Sequence, residues 1–206
     1  MLVALAVLVG AGSSASARPA GGCHPRGSHT IVATPAVRVF KRTSSDMDGA
    51  FAACLASRGV PVLIDVMFGR ATIAPLSPLL GYTTVLCDAT SCGTLIKLVD
   101  LRGPASPPAA QLGVDATVTQ LRMRRSGWAA WIACNTNYGN LDVACAPGQR
   151  TEVWVGHVYD RTNMRIGTGH HIRASSLRID GQNVTWWQNG KRKTVRYSSL
   201  SNGSGM

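Results

Sequence analysis

A chain of 206 residues, 45% of them hydrophobic, is long enough to bury the core of one domain. Lysine and arginine outnumber aspartate and glutamate 21 to 10, and the resulting charge of +11 favours polyanionic partners: wall polymers, acidic glycans, anionic lipid or stray nucleic acid. Glu152 is the sole glutamate, so little material exists for chemistry built on paired carboxylates.

The first residues, MLVALAVLVGAG, form an apolar run of signal-peptide length, too short to span a bilayer. Ala15-Ser16-Ala17 has the form that signal peptidase reads, so residues 1–17 are expected to be removed before Arg18. The basic residues that normally precede such a run are missing, which points to a start codon placed a few residues late. No later stretch is long and apolar enough to cross a membrane.

Six cysteines in an exported chain point to disulfides rather than metal thiolates. Sequence proximity suggests Cys23–Cys54, Cys87–Cys92 and Cys134–Cys145, although six cysteines leave the connectivity open. Ala20-Gly21-Gly22-Cys23 loosely matches a lipoprotein cleavage box, in which Cys23 would carry a lipid anchor at the cell surface. That alternative would strand one cysteine, and plain secretion is preferred.

Residues 18–29 form a lead-in. Thr30–Phe40 alternates and is β-branched, so it predicts one or two strands broken near Pro35, followed by the polar turn 41–49. Ala50–Leu55 and Val60–Val66 flank an Arg58-Gly59 turn. Ile73–Leu80 and Tyr82–Cys87 flank Gly81, and Thr94–Leu101 follows. The prolines of residues 102–110 exclude a central strand.

A third unit, from Val114 to Asp160, holds Thr117–Met123, a turn at Gly127, the doubly apolar run Trp128–Cys134, a loop over 135–150 and Thr151–Tyr159. A fourth has Ser175–Ile179 and Asn183–Gln188, then Thr194–Tyr197 beyond an Asn189-Gly190 turn, the strongest short-range hairpin signal in the chain. No helical periodicity is sustained outside the signal segment.

Gly81, Gly127 and Gly181 lie 46 and 54 residues apart, each ahead of a strand-like run. The expected architecture is therefore all-β, with repeated antiparallel hairpin or meander units, propeller-like and stapled by disulfides, or alternatively a β-sandwich. One repeat domain is expected over 30–200, with a disordered tail at 201–206.

Several pieces carry a family resemblance. Ser126-Gly127 with Trp131-Ile132, Val158-Tyr159-Asp160, Ser176-Leu177 and Val184-Thr185-Trp186 with Gly190 span the second half. Val37-Arg38-Val39-Phe40 and Ala53-Cys54-Leu55 extend the pattern to the first. Together they resemble uncharacterised secreted proteins of actinobacteria with propeller-like β-repeats. The motifs are core and turn positions, so the resemblance implies a fold and no activity.

Hydrolase signatures (G-x-S-x-G, S-x-x-K, H-E-x-x-H) and phosphate-cradling loops are absent from the sequence. Asp46 and Asp48 are explained by capping of a serine-rich turn. His170-His171 could supply half a metal site with His157, but adjacent strand residues face opposite ways and no further ligand lies at suitable spacing. No cofactor or metal is expected.

Trp128, Trp131, Trp154, Trp186 and Trp187 suit core packing, except that Trp186 and Trp187 must face opposite ways on a strand. Trp187 is the candidate for ligand stacking, with Arg173, Arg178, Lys191, Arg192 and Lys193 as its basic surround. The chain thus reads as an exported, non-catalytic β-repeat module that binds an anionic envelope polymer or a protein partner, with no specific nucleic acid and no oligomeric state implied. The alternative is a secreted hydrolase whose site is assembled from the distant residues His157, Asp160 and His170.

Overall fold

Strand-like runs separated by turns become antiparallel strands in the computed structural model, which describes residues 23, 25–42, 50–66, 72–87, 92–102, 110–114, 116–134, 145 and 148–197. Sheet A comprises β1 (Ser28–Ala33), β2 (Val37–Arg42), β3 (Ala50–Leu55) and β4 (Pro61–Val66). Sheet B comprises β5 (Ile73–Pro75), β6 (Leu79–Cys87), β7 (Cys92–Asp100) and β8 (Ala110–Val114). Sheet C comprises β9 (Thr117–Met123), β10 (Trp128–Cys134), β11 (Thr151–His157) and β12 (Thr162–Gly169). Sheet D comprises β13 (Ile172–Asp180), β14 (Asn183–Gln188) and β15 (Lys191–Arg196). Each sheet is an up-and-down meander in chain order. Among the described residues there is no α-helix.

The four sheets stack in sequence. Val37, Val39, Ala53 and Leu55 of sheet A pack against Leu80, Tyr82, Val99 and Leu101 of sheet B or the turn that follows it. Ile96, Leu98 and Leu112 of sheet B meet Leu121, Met123, Ala129 and Trp131 of sheet C. Ala130, Ile132, Val153 and Val155 of sheet C meet Leu177, Val184 and Trp186 of sheet D. Sheets B and C are thus covered on both faces, which is why Ala129–Cys134 is buried at every position and shows no polar alternation. The core clusters join only consecutive sheets, so the described strands form an open stack of four sheets rather than a closed ring or a two-sheet sandwich.

One backbone contact recurs in every sheet. The amide just past the third strand donates to a carbonyl in the first hairpin turn: Ala56 to Ala36, Leu101 to Pro78, Val158 to Gly127 and Tyr197 to Gln182. The first strands start at Ser28, Ile73, Thr117 and Ile172, hence 45, 44 and 55 residues apart.

The Gly81 expectation needs correction. The turn of sheet B lies at residues 76–78, with a cis Ser77-Pro78 peptide, and β6 runs straight through Gly81. Gly81 is needed for a different reason: a Cβ there would overlap the Met123 sulfur, where sheet C presses on sheet B. Gly127 and Gly181 do occupy turns, with φ of +90° and +54°.

Two strands were not anticipated. β8 alternates over only five residues directly after a proline-rich loop, and β12 is exposed or half-buried throughout and shows no apolar alternation. β1 starts at Ser28, inside the expected lead-in, and β2 extends through Lys41 and Arg42, the first two residues of the expected turn 41–49. The rest of that turn, the expected signal peptide 1–17 and the tail 201–206 fall outside the described residues.

Cys23 is bonded to Cys54 and Cys134 to Cys145, as expected. Cys87 and Cys92 face each other as cross-strand partners at the ends of β6 and β7, with their side chains outside the description. A Cys23 sulfur bonded to Cys54 is not free to carry a lipid. Two disulfides are consistent with an extracellular location, and among the described residues no helix is long and apolar enough to cross a membrane.

Two stability predictions follow from this packing. Loop-closure entropy gives about 3.7 kcal/mol for the 31-residue separation of Cys23–Cys54 and about 2.8 kcal/mol for the 11-residue separation of Cys134–Cys145. Replacing the first pair by alanine is therefore expected to lower urea stability by about 1 kcal/mol more than replacing the second; the reverse order would reject the entropic account. Gly127→Ala places a Cβ against the Tyr159 ring on a left-handed backbone. It is expected to cost at least about 2 kcal/mol in the same assay, and an unchanged midpoint would contradict that reading of the turn.

Candidate functional site

Sheet D is the last of the stack, so one of its faces packs on sheet C and the other meets solvent. Strand alternation divides its side chains accordingly. Val184 and Trp186 point inward and are buried, while Trp187 points outward and is 46% exposed. The adjacent tryptophans do face opposite ways.

The cross-strand register sets the surroundings of Trp187. Its direct partner on β13 is Arg173 and its direct partner on β15 is Arg192, so three long side chains line up across the sheet on one face. Arg178 opposes Thr185, one step along the same face of β14, and Arg196 opposes Asn183 one step further. Asp180, at the far end, is the one carboxylate of these three strands.

A bulge in β13 fixes this alignment. Five residue steps separate Arg173 from Arg178, whereas their partners Trp187 and Thr185 are two steps apart. Ser176 fills the gap: its hydroxyl accepts the Trp187 backbone N–H at 2.8 Å and donates to the Arg173 carbonyl. Without the bulge, β13 would present different residues to Trp187.

The six sequence candidates do not share one face. Arg173, Arg178 and Arg192 accompany Trp187. Lys191 and Lys193, paired with Gln188 and Trp186, lie on the opposite face of β15 and line a cleft of about 560 Å³ between β12 and the β14–β15 hairpin. The reason is the two-residue period: Lys191-Arg192-Lys193 cannot point one way within a strand.

The residues of the hydrolase alternative are also separated. His157 lies 2.6 Å from Asp160 through Nδ1, and its Nε2 is 2.8 Å from the Ser126 carbonyl, where it ties the β9–β10 turn to the end of β11. His170 instead contacts the Gly148 carbonyl at 2.8 Å, at the other end of β12. Seven strand residues separate the two ends, about 23 Å at the usual rise. His171 occupies a turn at φ +56°, and no group of three potential metal ligands gathers among the described residues.

The sequence marked Glu152 as the sole glutamate and gave it no role. It bonds Arg165 through Oε1 at 2.8 Å and Trp154 Nε1 through Oε2 at 3.0 Å, beside the stacked Trp131 and Trp154 rings, at a smaller cleft between sheets B and C. Both oxygens are engaged internally, so this glutamate holds the sheet edge.

In the sequence Arg122 opens the late concentration of basic residues that ends with Arg196. It sits half-buried at the seam of sheets C and D, where burial, and next the nearby charge of Arg178, pull its pKa below the ordinary guanidinium value. Arg122 and Arg178 are both bonded to backbone carbonyls rather than to carboxylates. The like-charge approach therefore stands uncompensated among the described residues. No protein-family model matches the chain, and no curated protein is significantly similar to it.

The lowered pKa of Arg122 means that folding disfavours its charged form, and at neutral pH that charge is present and works against stability. Arg122→Met is accordingly expected to raise the urea midpoint at low ionic strength. The gain should shrink as added salt screens Arg178. A lowered midpoint at every ionic strength would show that the guanidinium is net stabilising.

Proposed function

We propose that this is an exported, non-catalytic β-repeat module whose sheet D face adheres to an anionic polymer of the cell envelope. The observation that carries the reading is the register Arg173–Trp187–Arg192, with an exposed indole flanked in the sheet by an arginine on each neighbouring strand. No carboxylate pairs with Arg173 or Arg192 among the described residues. An indole offers a flat apolar surface for a sugar ring, and guanidinium forks match carboxylate or phosphate oxygens. A face of this kind suits a polymer with alternating apolar and anionic surface.

Export is supported by the leading apolar run and by the disulfides. A repeat reading, propeller-like and in keeping with the resemblance to secreted actinobacterial proteins, is supported by the fourfold recurrence of the turn-to-strand hydrogen bond and by the matching 45- and 44-residue spacing of the first three units. His170 lies at the other end of β12 from the paired His157 and Asp160, so the three residues of the hydrolase alternative share no common site.

Co-sedimentation of the mature, oxidised protein with insoluble cell-wall material tests the reading. Retention is expected to persist at about 0.5 M salt, where the Debye length is a few ångströms. Trp187→Ala should weaken it about tenfold, equivalent to about 1.4 kcal/mol, and Arg173→Gln with Arg192→Gln should make the remainder strongly salt-sensitive. Retention that vanishes with salt in the unaltered protein would reduce the face to general basic stickiness.

A further inference from the structure

The lysines excluded from the Trp187 face are not scattered solvated charges. They occupy alternate positions of β15, about 7 Å apart along the backbone, so both side chains emerge on one side. That side is a cleft of about 560 Å³, closed opposite the lysines by β12 of sheet C and floored by Trp186 and Gln188.

The cleft walls are specified by glycines. A Cβ at Gly167 would run into the Trp186 ring, and one at Gly169 would overlap the Gln188 amide. Gln188 is fixed by its own bonds: Nε2 donates to the Thr168 carbonyl at 3.1 Å, and Oε1 accepts from Trp186 Nε1 at 3.4 Å. Among the described residues no acidic side chain lines the space. Two cations, a fixed amide and an absence of carboxylates together define a receptor for a small anionic group carried on a hydroxylated body.

We infer that the Lys191–Lys193 cleft binds an anionic sugar, one bearing a carboxylate or a phosphate, as a second subsite on the far side of the β14–β15 hairpin from Trp187. The inference takes the anionic character of the ligand from the polymer-binding reading. Lysine ammoniums act as point charges on an oxyanion, in contrast to the planar forks of the outer face. A polymer engaged on both faces passes around the Asn189-Gly190 turn or over the free edge of β15.

The test measures binding of two small probes, glucose 6-phosphate and a glucuronate-containing disaccharide, to the mature, oxidised protein by calorimetry. Millimolar or tighter binding of at least one probe is expected, and the preferred probe identifies the anionic group. Lys191→Gln with Lys193→Gln should weaken binding at least tenfold, and the double arginine variant should retain most of it. Trp187→Ala should leave it within twofold of the unaltered protein. Both lysines are exposed, so these changes do not endanger the fold.

Binding of neither probe, or binding indifferent to the lysine-to-glutamine change, overturns the cleft proposal. Wall retention sensitive to Trp187 alone, alongside either of those results, leaves the outer-face reading standing and removes the cleft. Probe binding through the lysines without wall retention does the opposite.

Discussion

Everything in this molecule depends on how closely one twisted sheet can approach the next. Sheets packed face to face are separated by the length of their side chains, and bulky residues on both must interlock. Here large side chains of one sheet are received by glycines of its neighbour. Met123 of sheet C sits over Gly81 of sheet B, and Trp186 of sheet D sits over Gly167 of sheet C. Within sheet C, Gly156 leaves room for the Trp131 ring and for Leu112 of sheet B. Each pairing removes a large apolar surface from water while keeping the backbones close, and it fixes the position of one sheet on the next. The buried strands B and C could not otherwise carry so many residues without polar alternation.

The same constraint explains what the sequence disclosed and what it withheld. Strands with a regular alternation or a doubly apolar run, such as Val37–Phe40, Trp128–Cys134 and Asn183–Gln188, were legible because burial dictated their composition. The Asn189-Gly190 turn was legible because its backbone needs left-handed residues. Gly81 misled because a glycine in a sequence signals a turn as readily as a close approach, and only the opposing Met123 distinguishes the two. β12 was invisible because its residues are largely exposed and its glycines serve Trp186 and Gln188, neither of which is near in sequence.

The site divides along similar lines. That Trp186 and Trp187 face opposite ways follows from strand geometry alone, and so does the separation of Arg192 from Lys191 and Lys193. The partnership of Trp187 with Arg173 depends on a three-residue excess in β13, a register feature with no local sequence signature beyond Ser176. Arg122 belongs to another sheet altogether, and its approach to Arg178 is a product of stacking. Basic residues that looked like one patch in sequence thus become an outer ladder, an inner cleft and a half-buried seam, each with its own electrostatic character.

The recurring bond from the end of the third strand to the first hairpin turn closes each sheet upon itself using residues 15 to 31 positions apart. Most pairing is therefore local, and long-range contacts reach only the adjacent sheet. Stability in such a stack is a chain of neighbour-to-neighbour terms, so opening begins at the ends, where a sheet has one neighbour instead of two. Sheet D is such an end. An occupant bridging its strands would suppress that fraying, so the protein's resistance to proteases would report on whether its terminal sheet is engaged.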